Sequence, residues 1–153
     1  GKTYDKLQTF VPIQDYQIDH YKNRFLKYIN PGFIKCVTDE NDDLVAFAIT
    51  MPSFSNALKK INGKVDLIGK LRLLHAKNYN HKGSLYLIGV RPDFQNKGVI
   101  AILFNELQKF YNKFGITEVE TNPELIENAA IQQLWKNYEN NQHKNRATFT
   151  KVI

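Results

Sequence analysis

One cysteine, one methionine and one tryptophan in 153 residues leave little for redox or metal chemistry to use. Cys36 cannot close an internal disulfide. It sits in the apolar run Phe33-Ile34-Lys35-Cys36-Val37, which reads as a buried structural thiol in a reducing compartment. The histidines His20, His75, His81 and His143 show no paired ligand spacing, so no metal site is expected. No apolar stretch approaches the roughly 20 residues that a membrane-spanning helix needs, and no signal-peptide pattern is visible. A soluble, cytoplasmic chain with no membrane partner is the expectation. An initiator methionine is also lacking: the chain opens Gly1-Lys2-Thr3 and its one methionine is Met51, as in a processed product or a piece of a longer protein. Repeats and low-complexity tracts are absent.

What is present suits a folded domain. Hydrophobic residues make up 42% and charged residues 24%, and a chain of this size buries roughly 70% of its unfolded surface around one core. The formal charge of +6 attracts an anionic partner, whether nucleic acid, a membrane surface or a phosphorylated cofactor, but also fits a solvated lysine-rich surface.

Asp15 to Tyr28 spaces Tyr16, Ile18, Tyr21, Phe25 and Leu26 as an amphipathic helix that ends at Asn30-Pro31-Gly32. Phe33 to Thr38 and Leu44 to Met51 read as strands of a hairpin around the acidic turn Asp39 to Asp43. Beyond Pro52, Ser53 or Ser55 can cap a helix through Leu58 and Ile61 that stops at Asn62-Gly63. Lys64 to His81 mixes Val65, Leu67, Ile68, Leu71, Leu73 and Leu74 with basic residues, a partly helical segment with one apolar side. Ser84 to Val90 is an almost uncharged strand, and Gly98 to Phe114 a helix with the stripe Val99, Leu103, Leu107, Phe110, Tyr111 and Phe114. Ile116 to Thr121 is a short strand, Pro123 opens a helix to about Tyr138, and Ala147 to Ile153 reads as a terminal strand. The order predicts an α/β (α+β) fold: a mixed, mostly antiparallel sheet with helices on both faces and a central βαβ unit.

The junction Leu87-Ile88-Gly89-Val90-Arg91-Pro92-Asp93-Phe94-Gln95-Asn96-Lys97-Gly98-Val99-Ile100 carries the chemistry. A strand that runs through a tight loop straight into a helix leaves the first helical amides unpaired, and the helix dipole adds positive potential, so the place suits a pyrophosphate. Gly98 lets the backbone approach closely and Lys97 adds a mobile cation.

At these residues the chain resembles the GNAT superfamily of acyl-CoA-dependent N-acyltransferases. That family's signature is Gln or Arg, two residues, Gly, one residue, then Gly or Ala. Gln95 and Gly98 match it; Ile100 stands where the family has Gly or Ala. The lead-in Val90 to Phe94, the hairpin with Leu44-Val45-Ala46-Phe47-Ala48 and the last helix near Glu127-Asn128 also correspond, so the resemblance covers roughly residues 10 to 153. It is nearest to a little-characterised bacterial branch in which a short helix and basic linker precede the central strand. The family's first strand and most of its first helix have no room before Thr9-Phe10-Val11-Pro12, so a single GNAT-like domain over residues 1–153 that lacks them is expected.

The resemblance implies an acyl-CoA co-substrate, acetyl-CoA or another, with its pyrophosphate on the amides of Gln95, Asn96, Lys97, Gly98, Val99 and Ile100. It implies that the pantetheine arm lies along main-chain groups of Ile88 and Val90 and touches Asn128, and that an amide near Gly89 or Val90 polarises the thioester. Trp135 stands where many members have a proton-donating tyrosine. Ser84, Tyr86, Glu118 and Glu120 are the polar groups within reach as a base, and none is assigned. The expected function is acetyl transfer to an amine, on a small molecule or peptide. The alternative is a degenerate module that binds CoA or docks to a parent protein without turnover. Nucleic-acid binding through Lys59, Lys60, Lys64, Lys70, Arg72 and Lys77 is disfavoured because stacking aromatics are sparse there. Gly63 to Lys70 only mimics a Walker loop: five residues separate the glycines and no Ser or Thr follows the lysine.

Overall fold

The computed structural model describes residues 14–24, 30–126 and 128–151. Two compact units divide the chain, residues 1–120 and 121–153.

In the first unit, helix α1 (Asp15–Arg24) leaves Tyr16, Ile18 and Tyr21 exposed. The expected continuation through Phe25, Leu26 and Tyr28, and the segment Thr9 to Pro12, lie outside the described residues. A 3₁₀ turn at Pro31–Phe33, capped by the Asn30 side chain on the Gly32 amide, leads into β1 (Ile34–Thr38). The turn to β2 (Leu44–Pro52) is built on Asp39, whose carboxylate accepts from the amides of Asn41 (3.0 Å) and Asp43 (3.1 Å). Asp42 takes the left-handed conformation there (φ 63°).

α2 (Ser55–Ile61) and α3 (Leu67–Asn78) form a helical hairpin, followed by β3 (Lys82–Val90), α4 (Val99–Phe114) and β4 (Glu118–Thr121). The sheet order is β1-β2-β3-β4, and β2 pairs antiparallel with both β1 and β3. At the start of β3 the His81 carbonyl accepts from the amides of Thr117 (2.9 Å) and Glu118 (3.2 Å). β3 and β4 therefore leave the same end of the sheet, as a βαβ unit requires.

Val99, Leu103, Leu107 and Tyr111 recur every four residues on α4 and are buried, whereas Gly98 and Gly115 end the helix in left-handed conformations (φ 76° and 68°). α4 covers β1 and the β2 face bearing Ala46, Ala48 and Thr50. Phe33 packs edge-on to Phe110 (4.8 Å between centroids), and Phe110 packs on Phe114 (4.5 Å).

Three expectations fail. Cys36 is exposed, not buried. Along β1 the side chains alternate, so Val37 turns to the core while Cys36 faces out from the end strand of the described sheet. The last helix, α5 (Ala129–Trp135), begins later and ends sooner than predicted from Pro123. No strand forms over residues 147–151: these residues are exposed and enter no ladder among the described residues, and β-propensity without a paired neighbour does not make a strand.

Candidate functional site

β3 hands the chain to α4 through a loop whose geometry follows from its residues. The Arg91 amide donates to the Val45 carbonyl (2.8 Å), a main-chain tie of the loop to the sheet. Pro92–Phe94 make a 3₁₀ turn in which Phe94 and Gln95 donate to the carbonyls of Arg91 (2.9 Å) and Pro92 (3.3 Å). Asn96 (φ 61°) and Gly98 (φ 76°) are both left-handed, one on each side of Lys97. Asn tolerates that region and Gly prefers it.

The amides of Asn96, Lys97, Gly98, Val99 and Ile100 make no hydrogen bond among the described residues. The first carbonyl used by α4 is that of Gly98, which accepts from Ala101 (3.0 Å) and Ile102 (3.3 Å). Five consecutive donors thus stand at the positive end of a 16-residue helix, a geometry that suits an anion. The Gln95 amide does not join them, because it is spent on Pro92, and its side chain reaches back to the Val90 carbonyl at 3.5 Å. Ile100 does not crowd the loop: its side chain packs on the cluster of Val45, Ala46, Val90 and Val99.

Arg91 braces the approach. Its guanidinium donates to Asp93 (2.8 Å) and Asp39 (3.1 Å) and lies over the Phe94 ring (4.5 Å), with the Lys97 ammonium 5.2 Å from the same ring. The bond to Arg91 lowers the Asp93 pKa; for Asp39, desolvation opposes ionisation but the amides of Asn41 and Asp43 together with Arg91 outweigh it, and its pKa falls too. Arg91 is thus paired with two carboxylates, whereas Lys97 forms no ion pair within salt-bridge distance among the described residues. The Arg91 to Asp39 link joins positions 52 residues apart, and no sequence signal beyond an Arg followed by Pro-Asp pointed to it.

Upstream, the β2–β3 register slips by one residue: Ile49 faces Leu87 but Thr50 faces Leu85, so Tyr86 is the extra residue of a bulge. Tyr86 and Leu87 are both exposed. β4 is four residues long and begins beside the start of β3 at the His81 contact, while β3 continues to Val90. Ile88 and Val90 lie beyond the bulge, opposite Ala48 and Ala46.

The model of the acetyltransferase (GNAT) family matches residues 8–137. The chain belongs to the GNAT acetyltransferase family. Solved structures share its fold at low identity. The aminoglycoside 6'-N-acetyltransferase AAC(6')-Ig of Acinetobacter haemolyticus is 14% identical with a TM-score of 0.57, over 94% of this chain and 85% of that one. AAC(6')-Ih of Acinetobacter baumannii is 12% identical with a TM-score of 0.54, over 94% and 84%. A GNAT family acetyltransferase of Staphylococcus aureus is 13% identical with a TM-score of 0.51, over 99% and 85%. No curated protein matches.

Among the groups a GNAT reaction could use as a base, Glu118 is paired with Lys82 (2.5 Å) at the opposite end of β3 from the cradle. Ser84 is half-buried one strand position from the start of the bulge region. No cluster of His, Cys, Asp or Glu among the described residues could hold a metal, and no helix among them is long and apolar enough to cross a membrane.

The second unit holds the remaining candidates. Asn128 is the residue before α5; its amide donates to Leu125 (3.0 Å) and its side chain does not cap the helix. The Trp135 indole N–H donates to both Glu124 oxygens, Oε1 at 2.9 Å and Oε2 at 3.0 Å, and the ring meets Tyr138 edge-on (6.3 Å). Asn140 closes the end of the helix by donating to the Trp135 and Tyr138 carbonyls.

Proposed function

We propose that this GNAT chain transfers an acyl group, acetyl in the simplest case, from acetyl-CoA to an amine of a small molecule or peptide. The observation that carries the reading is the row of five amides from Asn96 to Ile100 with no hydrogen bond among the described residues, at the start of a 16-residue helix and directly after β3. The amides and Lys97 bind the pyrophosphate. The main chain of Ile88 to Val90 takes the pantetheine arm as an added strand and aligns the thioester.

In the reaction the amine lone pair forms a C–N bond to the thioester carbonyl carbon, the C–S bond breaks, the thiolate leaves, and the proton that the amine nitrogen loses goes through water to the thiolate. A backbone amide of Gly89 or Val90 stabilises the carbonyl oxygen as charge builds on it. No side chain is assigned as base, and an amine that arrives neutral needs none.

A second reading has one observation in its favour. Trp135 stands at the position of the expected proton donor with its N–H committed to Glu124, which fits a module that binds acyl-CoA without turnover. Thermal shift with acetyl-CoA tests the cradle, because a ligand that binds only the folded state raises the melting temperature. No shift with any acyl-CoA overturns both readings. Thiol release over a panel of amines then separates them: release establishes the transferase, and binding without release the module.

A further inference from the structure

The hairpin of α2 and α3 is built with its large apolar residues outward. Gly69 and Ala76 are the buried residues of α3, whereas Leu67, Ile68, Leu71 and Leu74 are 75%, 60%, 59% and 55% exposed. At 100° per residue these four fill an arc of about 120° on the side of α3 roughly opposite Gly69 and Ala76. The inward side is small of necessity, since a Cβ on Gly69 would stand 2.7 Å from the Lys64 carbonyl oxygen. Leu58 on α2 and Val65 in the connecting turn are exposed as well.

Cations frame this ridge. Lys70 and Lys77 flank it on one side of the helix and Arg72 on the other. Residues 53–81 contain six lysines and arginines against one acid, Asp66, a formal +5 within a whole-chain +6. Lys59, Lys60, Lys64, Lys70 and Lys77 form no ion pair among the described residues, Arg72 donates to the Lys60 carbonyl (3.1 Å), and Asp66 caps α3 through the Gly69 amide (2.7 Å). A cavity of about 190 Å³ between the helices is lined by Lys60, Lys64 and Arg72 together with Asp66 and Ile68.

We infer that this face docks on an anionic lipid surface, with Leu67, Leu71 and Leu74 entering the acyl boundary and the flanking cations held at the headgroup phosphates. A leucine ridge between rows of basic residues is the pattern of a helix lying in a membrane interface. Nucleic acid would not take the leucines, and a second copy of this chain would bring +5 against +5. The absence of a spanning helix is compatible with this, because interfacial binding needs none. The inference is independent of the acyl-CoA reading and is tested without acyl-CoA.

Sedimentation of the full chain with vesicles of phosphatidylcholine containing phosphatidylglycerol, against phosphatidylcholine alone, is the experiment. Binding is expected to the anionic vesicles only and to weaken as salt rises. The Leu67→Ser/Leu71→Ser double variant should bind at least about tenfold more weakly, and Lys64→Glu/Lys70→Glu about fivefold more weakly per charge removed. With Leu71→Trp, excited alongside a parent Trp135→Phe background, emission should shift to the blue on anionic vesicles. No vesicle binding by the unaltered chain, or no shift at position 71, overturns the inference. So does a dimer in solution that Leu67→Ser/Leu71→Ser dissolves, since the face would then belong to a second copy.

Discussion

Replacing Gly98 by Asn and by Asp isolates the charge logic of the cradle. At φ 76° any side chain is strained, but an added Cβ meets nothing within 4 Å, so steric crowding does not confuse the result. Asn tolerates the left-handed region, and the two variants are close in size; each should lose about 1 kcal/mol of stability from backbone strain. They differ in one carboxylate facing the place proposed for the pyrophosphate. A charge about 4 Å from a phosphate oxygen costs about 1 kcal/mol in water and about 4 kcal/mol at an effective dielectric of 20. The exposure of Gln95 to Gly98 favours the lower part of that range. Gly98→Asp should therefore bind CoA about 5- to 30-fold more weakly than Gly98→Asn, and the gap should narrow with added salt. Titration calorimetry with CoA at two salt concentrations reads both. Equal affinities for the two variants would refute a pyrophosphate at the start of α4.

Three further outcomes follow from packing and charge. The Tyr111 hydroxyl is buried without a hydrogen bond of good geometry, and burial raises its pKa; the nearby Thr50 hydroxyl, which lowers it in part, is spent on the Phe33 carbonyl (2.8 Å). Tyr111→Phe should be neutral or stabilise by about 1 kcal/mol in urea unfolding, whereas a loss of stability would reveal a missed partner. Asp39 and Asp93 have pKa values lowered in the folded state, so their pairing with Arg91 stabilises above the usual carboxylate range and is lost as pH falls through and below it. The stability gap between the parent and Arg91→Ala should thus be present at neutral pH and close in acid; a gap that widens in acid contradicts this. Gly69→Ala gains helix propensity but drives a methyl into the Lys64 carbonyl, and a net loss of about 1–3 kcal/mol is expected in thermal melts.

Local rules were enough where residue chemistry decides the conformation. Asp39 to Asp43 turns the hairpin because a carboxylate can cap its own loop, and Gly98 and Gly115 mark the ends of α4 because both adopt positive φ. The stripe Val99, Leu103, Leu107 and Tyr111 needed no partner to be recognised. The elements around residues 95–100 were legible for the same reason: unpaired amides at a helix start are a property of the backbone, and strand, loop and helix could each be placed from the sequence. Their detail was not. That the Gln95 amide is spent on Pro92, and that Ile100 turns to the core, depend on torsions that residue type leaves open.

What escaped the sequence is relational. The Tyr86 bulge exists only against the register of β2, and nothing in Leu85-Tyr86-Leu87 announces the extra residue. Cys36 lies among apolar neighbours, but the outward side of an end strand is set by its place in the sheet order. The periodicity of residues 64 to 81 gave a one-sided helix and left open which side faces in. Small residues decided it: Gly69 and Ala76 let α3 approach closely, and the leucines, too large for that contact, were turned to solvent. An apolar stripe in a sequence is therefore a statement about a face and not about a core. When the buried side of a helix is made of Gly and Ala and the exposed side of Leu flanked by Lys and Arg, the apolar surface is available to something outside the chain.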